Sequence, residues 1–279
     1  MLTEKGVIEN LAGQSIAGVV FDLDGTILRG DLLLPAAAET IKSLRNRQIK
    51  VCFLTNDNRS PISSWLEKLH KNQIDASPEE VLTSAVIAAE TVADLYPNGT
   101  ILIADNSGLN DAFSSFEFER LDWESEKQAD VVIIGKDPLF DQERLRIACN
   151  HIWKGAELVA TNIDRKMPVE NGFIPGTGAM VQAIAYATST NPMVTGKPSQ
   201  YAADIVQKRL GVPAKQIVMV GDSLTSDIKL GKTAKMRTVL TLTGTHDRQA
   251  ALALPASDQP DFIIEDLSAL IPTLFGEAE

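Results

Sequence analysis

A chain of 279 residues with 37 acidic against 26 basic side chains, net charge −11, 44% apolar and 23% charged, has the balance of an ordinary globular protein of about two domains. The acid surplus argues against a nucleic-acid backbone or an anionic membrane as the main partner, but not against an anionic small molecule, because a bound metal ion reverses the field locally. Cys52 and Cys149 show neither CxxC nor zinc-ligand spacing, no stretch is apolar for long enough to span a membrane, and "MLTEKGVIENLAGQS" lacks the basic start and apolar core of a secretory leader, so a reduced, cytoplasmic setting is expected.

The first predicted strand is "IAGVVF" (Ile16 to Phe21), which ends on Asp22-Leu23-Asp24. "PAAAETIKSLRNRQ" follows, with Ala38, Ile41 and Leu44 at helical spacing and Pro35 in the first turn. "VCFL" (Val51 to Leu54) is the second strand and ends on Thr55-Asn56. Helical stretches are expected around Pro78 to Leu95 and Asp141 to Trp153, and the runs "TILIAD", "VVIIG" and "ELVAT" lie among them as further strands. "SQYAADIVQKRLG" begins on Ser199 as a cap and stops at Gly211. "IVMV", "TVLTL" and "FII" complete the strands. Continuous apolar runs of this kind fit strands covered on both faces, and their alternation with helices predicts a doubly wound parallel sheet. Thr55 and Lys197 are 142 positions apart, too far for one crossover. An inserted α/β domain is therefore expected at residues 85–190, between core segments 1–84 and 191–279.

In such a sheet, ligands bind outside the carboxyl ends of the strands. Asp22 and Asp24 end the first strand and Thr55 the second; "IVMV" ends in Gly221-Asp222 with Asp227 nearby; Lys197 stands in "TGKPS". Four carboxylates converging on one site repel one another and are costly to bury unless paired. A hard divalent cation with oxygen ligands would offset them, and Mg²⁺ fits best. Rival readings of the motifs fail on spacing. Gly25 stands at the fourth position of "DLDGT", not the sixth as in an EF-hand; Pro198 replaces the Ser/Thr of a Walker A loop; Val181 takes the third glycine position in "PGTGAM".

"DLDGT", "LTN", "GKP" and "GDSLTSD" in this order resemble the four motifs of the haloacid dehalogenase superfamily. Matches at "ATNIDRKMP" (Asn162, Asp164, Pro168), "PGTG" (Gly176, Gly178), "IIGKD" (Gly135, Asp137) and "LTLTG" point to its NagD-like branch. The resemblance implies a Rossmann-like core with an inserted C2-type cap and a Mg²⁺-dependent phosphatase. Its substrate would be a small soluble phosphomonoester, cleaved through an aspartyl-phosphate. By the same resemblance, Asp22 is the nucleophile, and Asp24 is the general acid/base and lends its main-chain carbonyl to the metal. Thr55 and Asn56 hold the phosphoryl oxygens, and Lys197 neutralises Asp22 and the phosphate. Asp222 is a metal ligand, and Asp227 orients a metal-bound water. The cap residues Asn162, Asp164, Arg165 and Lys166 are candidates for the leaving group, with a solvated hairpin as the alternative. The resemblance allows a homodimer through the cap, and the sequence leaves the oligomeric state open.

Asp57 departs from the branch's usual "TNN", and Arg59 is expected to offset its charge; "AKM" replaces "AGM" at Ala234 to Met236, where Lys235 reads as solvent-exposed. Two other functions fit the scaffold: a phosphotransferase or mutase, and a non-catalytic small-molecule-binding regulator. A dehalogenase would need neither Asp24 nor the acids Asp222 and Asp227. None of the histidines, His70, His151 and His246, marks a site; His246 follows a strand end and reads as a loop histidine, with a place near the cleft as the alternative. Trp65 and Trp153 read as core.

Overall fold

The computed structural model describes residues 15–169 and 172–276; the stretch on which the leader was judged lies almost wholly outside them. The described residues form two compact units. One takes the chain through Thr55, then Trp65–Leu82 and the part from Lys197 onward; the other takes Asn56–Ser64 and Thr83–Gly196.

The first unit is built on a six-stranded sheet in the order Phe262–Ile264, Arg237–Thr241, Ile217–Gly221, Gly18–Phe21, Lys50–Thr55, Val81–Thr83. The Gly18–Phe21 strand pairs in parallel with Lys50–Thr55 on one side and Ile217–Gly221 on the other. The chain therefore winds away from it in both directions, which opens a crevice at its carboxyl end. Val19, Val20, Phe21, Val218, Met219 and Val220 are completely buried, as continuous apolar runs covered on both faces should be. Helix Gln200–Leu210 begins where Ser199 Oγ accepts the Ala202 amide at 3.1 Å and ends at Gly211, whose φ of 63° needs no Cβ. Pro35 stands outside the Ala37–Asn46 helix rather than in its first turn, because Ala36 takes the cap position.

The expected helix from Pro78 to Leu95 is divided. A short 3₁₀ turn, Pro78–Glu80, leads into the strand Val81–Thr83, and only then does Thr83 Oγ1 accept the Val86 amide to start helix Ser84–Leu95. "VLT" is completely enclosed, and the open edge of the sheet claims it; local periodicity does not reveal that edge.

The second unit has a five-stranded sheet in the order Met193–Val194, Glu157–Ala160, Val131–Ile134, Thr100–Ile103, Glu119–Leu121, with every neighbouring pair parallel. Both faces are covered. Ile101, Val131 and Ile133 meet Leu109 and Phe113, while Leu102, Val132 and Ile134 meet Ala148, Ile152, Val181 and Ile184. Trp153 does not join this core and is 61% exposed. Ala148, Cys149 and Ile152 form the buried stripe of its helix, and Trp153 falls one position off it.

Nine residues, Asn56–Ser64, belong to this unit although they follow a strand of the other. Asn58 Oδ1 accepts the Lys136 amide at 2.8 Å and the Asn106 Nδ2 at 3.2 Å. Arg59 O accepts the Gly108 amide and the Ser107 hydroxyl. The unit also reaches to Gly196 rather than 190, because Met193–Val194 is its edge strand. No helix among the described residues is long and apolar enough to cross a membrane.

Candidate active site

The site lies in the first unit, at the carboxyl end of Gly18–Phe21. The Asp22 amide donates to Val220 O at 2.9 Å, so the strand pairing continues through the residue that carries the carboxylate. Asp22 Oδ1 accepts from Lys197 Nζ at 2.5 Å. The same ammonium donates to Asp227 Oδ1 at 2.7 Å and to Leu54 O at 3.0 Å. These use its three protons. Lys197, Asp22 and Asp227 are all buried.

Asp227 sits within a π-helical turn, Leu224–Ile228, opened by Ser223 Oγ accepting the Ser226 amide at 3.3 Å. The turn directs the carboxylate back, where Oδ2 accepts the Ser223 amide at 3.0 Å. A Cβ on Gly221 would overlap that carboxylate. Asp222 is held from the other side by the Thr245 amide, which donates to Oδ2 at 2.5 Å. Oxygens of Asp22, Asp222 and Asp227 lie within 4.8 Å of one another. Asp24 is exposed, and its carboxylate is outside that cluster; the turn at Gly25 (φ 90°) links this segment to Leu28. Thr55 is buried at the end of its strand.

Three acids share one ammonium, and the electrostatics follow from that ratio. Burial, followed by the charges of Asp227 and Asp222, pushes Asp22 well above the usual carboxylate range despite Lys197. Burial and Asp227 raise Asp222 as well. Burial opposes the charge of Lys197, but Asp22 and Asp227 together outweigh it and raise its pKa. The lysine gains from two carboxylates, while each carboxylate has only a share of the lysine. An all-oxygen donor set short of positive charge fits a hard divalent cation.

A stability consequence follows. A carboxyl whose folded pKa is raised stabilises the fold when protonated, and that contribution is lost as pH rises through the folded value. Asp222→Asn is therefore expected to raise the unfolding temperature of the EDTA-treated protein by about 2–4 °C at pH 7. The gain should shrink as pH falls from 7 through the acid range and the wild-type carboxyl takes up its own proton. Thermal melts over that range check it, and a lower melting temperature at pH 7 would contradict it.

The remaining candidates lie in the second unit. Asn56 O accepts the Ser84 hydroxyl at 2.7 Å and the Asn162 Nδ2 at 2.8 Å, and Asn56 Nδ2 faces the Asp164 carboxylate at 3.4 Å. Asn162 Oδ1 accepts the Asp164 amide at 3.1 Å. Asn162 is buried with both ends of its amide engaged in this way. The "PGTG" glycines let the chain close on this loop: a Cβ on Gly178 would lie 2.5 Å from Ile163 O. Arg165 and Lys166 are exposed at the start of a hairpin, Lys166–Val169 with Gly172–Pro175, and the Lys166 ammonium lies 4.0 Å from the centre of the Phe173 ring. Arg59 Nε pairs with Asp57 at 2.7 Å, so the departure at Asp57 carries its own counter-charge. Lys235 is exposed. Cys52 is buried, and burial pushes its thiol up to about 12, which leaves it inert.

Sequence reasoning missed two elements. Asn58 ties Asn56–Ser64 to the second unit. Thr243–His246 touches both acid-bearing loops of the first unit. "LTLTG" and His246 were the available signals for the second element, but neither says what the loop contacts.

The fold and this cluster define an α/β protein with a buried group of acids and a lysine at a topological switch point. The comparisons make the class specific. A haloacid dehalogenase-like hydrolase model matches residues 19–119, and a HAD-hydrolase-like model matches 194–270. An acid sugar phosphatase of Staphylococcus epidermidis is 31% identical over 91% of this chain and 96% of its own. The p-nitrophenyl phosphatase structure from Archaeoglobus fulgidus superposes with a TM-score of 0.86 at 27% identity, covering 94% of this chain and all of that one. A glycerol phosphate phosphatase from Mycobacterium tuberculosis, solved in complex with magnesium, gives 0.84 at 29% identity over 92% of this chain and 77% of its own. The chain belongs to the haloacid dehalogenase-like hydrolases, in the NagD-like branch, and is a phosphatase.

Proposed function

We propose that the enzyme hydrolyses a small soluble phosphomonoester through a phosphoryl group carried on Asp22, with Mg²⁺ as cofactor. The observation that carries this reading is the buried cluster of Asp22, Asp222 and Asp227, in which Lys197 pairs with Asp22 and Asp227. Asp22 needs no base when ionised, and Lys197 keeps a cation against it where the substrate dianion would otherwise be repelled. An Asp22 oxygen bonds to phosphorus as the ester P–O bond breaks, and Asp24 gives its proton to the departing alkoxide. Asp24, now a carboxylate, takes a proton from water as that water attacks phosphorus, the bond between phosphorus and the Asp22 oxygen breaks, and Asp22 leaves as a carboxylate. Inorganic phosphate leaves, and both aspartates return to their starting forms. The Thr55 hydroxyl and the main-chain amide that directly follows it hold the phosphoryl oxygens.

Asp22, Asp222 and the main-chain carbonyl of Asp24 would hold Mg²⁺, with Asp227 beside them. Bound there, the ion would offset the charge on the phosphoryl oxygens. Names such as sugar phosphatase and glycerol phosphate phosphatase among the relatives support a small substrate.

The test is phosphate release from p-nitrophenyl phosphate and a panel of sugar, glycerol, glycolate, nucleotide and pyridoxal phosphates, with Mg²⁺ and with EDTA. Release is expected with Mg²⁺ and should fall by at least about 100-fold in EDTA. Equal rates in both would overturn the metal assignment. Activity confined to intact phosphoproteins would overturn the substrate class.

A further inference from the structure

The loop that follows the Arg237–Thr241 strand reaches both halves of the acid cluster. Thr243 Oγ1 donates to Gly25 O at 2.6 Å, inside the turn that carries Asp22 and Asp24. The Thr245 amide donates to Asp222 Oδ2 at 2.5 Å. The His246 amide donates to Asp222 O at 3.2 Å, and the His246 ring accepts the Leu224 amide on Nδ1 at 3.3 Å. Gly25 and Gly244 make room for the arrangement. A Cβ on Gly25 would stand 2.6 Å from Asp222 Oδ2, and one on Gly244 would overlap the same carboxylate. The turn from Gly221 to Leu224 is thus gripped at a carbonyl, a carboxylate and an amide by two consecutive residues of one distant loop.

We infer that Thr243–His246 is a clasp that positions the Asp222 carboxylate for the cation, and that His246 is its positioning residue. The inference rests on the Mg²⁺ reading above. Three like charges repel, and without an external hold the Asp222 carboxylate would swing away from Asp22 and Asp227. Groups that hydrogen-bond a metal-ligating carboxylate set its direction, and their loss weakens metal binding. The His246 ring does this one step removed, by fixing the main chain two residues after Asp222. An asparagine Oδ1 can take the place of Nδ1, whereas alanine leaves the Leu224 amide without its acceptor.

The test is Mg²⁺ binding to the substrate-free enzyme, followed by calorimetry and by the Mg²⁺-dependent shift in melting temperature. It compares wild type, His246→Ala, His246→Asn and Thr243→Val. His246→Ala is expected to weaken Mg²⁺ about 10-fold, and His246→Asn to recover most of that loss. The kcat at saturating Mg²⁺ should move less than the Mg²⁺ affinity. Thr243→Val releases Gly25 O at nearly constant volume and is expected to weaken Mg²⁺ about fivefold, which keeps the test open if His246→Ala does not fold. Lower melting temperatures with unchanged Mg²⁺ affinity in both variants would make the loop merely structural and overturn the inference alone. No Mg²⁺ binding by the wild type would overturn the metal reading and the inference together.

Discussion

Asp22→Asn is expected to lower kcat for p-nitrophenyl phosphate by at least about 10³-fold while leaving the fold intact. The amide keeps the volume and one oxygen to accept from Lys197 Nζ, but it is a poor nucleophile toward phosphorus. Removing this charge also relieves the repulsion from Asp227 and Asp222 that, after burial, holds the wild-type carboxyl high. The metal-free variant should therefore melt no lower than wild type at pH 7. Activity and melting temperature measured on the same preparation separate chemistry from folding. A variant that keeps about a tenth of wild-type activity, after a contaminating phosphatase is excluded, would remove Asp22 from the nucleophile role.

Lys197→Met should have the largest effect on stability. Lys197 is 2% exposed, and its ammonium satisfies Asp22, Asp227 and the Leu54 carbonyl at once. Methionine keeps much of the length and removes the charge, so the loss reflects uncompensated buried carboxylates rather than a cavity. Breaking a buried ion pair from one side costs about 3–5 kcal/mol. Without the lysine, the folded pKa values of Asp22 and Asp222, which its charge holds down, rise further. The deficit should be largest near neutrality and shrink as the acids take up protons at lower pH. Urea unfolding in EDTA at several pH values reads this directly. Asp22→Asn in the Lys197→Met background should recover part of the loss, because the two sites are in contact and their effects do not add. A Lys197→Met protein as stable as wild type at neutral pH would mean that the acids are neutral in the fold.

The parallel sheet of the first unit was legible because its strands are buried on both faces, and such strands are written as unbroken apolar runs. "IVMV" and "FII" needed no partner to be recognised, and "DLDGT", "LTN", "GKP" and "GDSLTSD" in order named the family. Local pattern is weaker where a segment's environment comes from elsewhere. "VLT" reads as part of a helix until an open sheet edge beside Lys50–Thr55 makes it a strand. Trp153 reads as core until the buried stripe of its helix passes one residue to the side.

What the sequence alone determined is the set of chemical groups and the strand ends that carry them: Asp22 and Asp24, Thr55, Lys197, Asp222 and Asp227. What only the tertiary structure decided is how charge is shared among them. Asp22 and Lys197 are 175 positions apart and Lys197 and Asp227 are 30 apart, yet one ammonium serves both acids. Asn56–Ser64 joins the second unit through Asn58, and Thr243–His246 grips the Asp222 turn, for the same reason. Hydrogen bonds between distant segments leave no periodicity in the chain; they exist only once hydrophobic burial has brought the strand ends together.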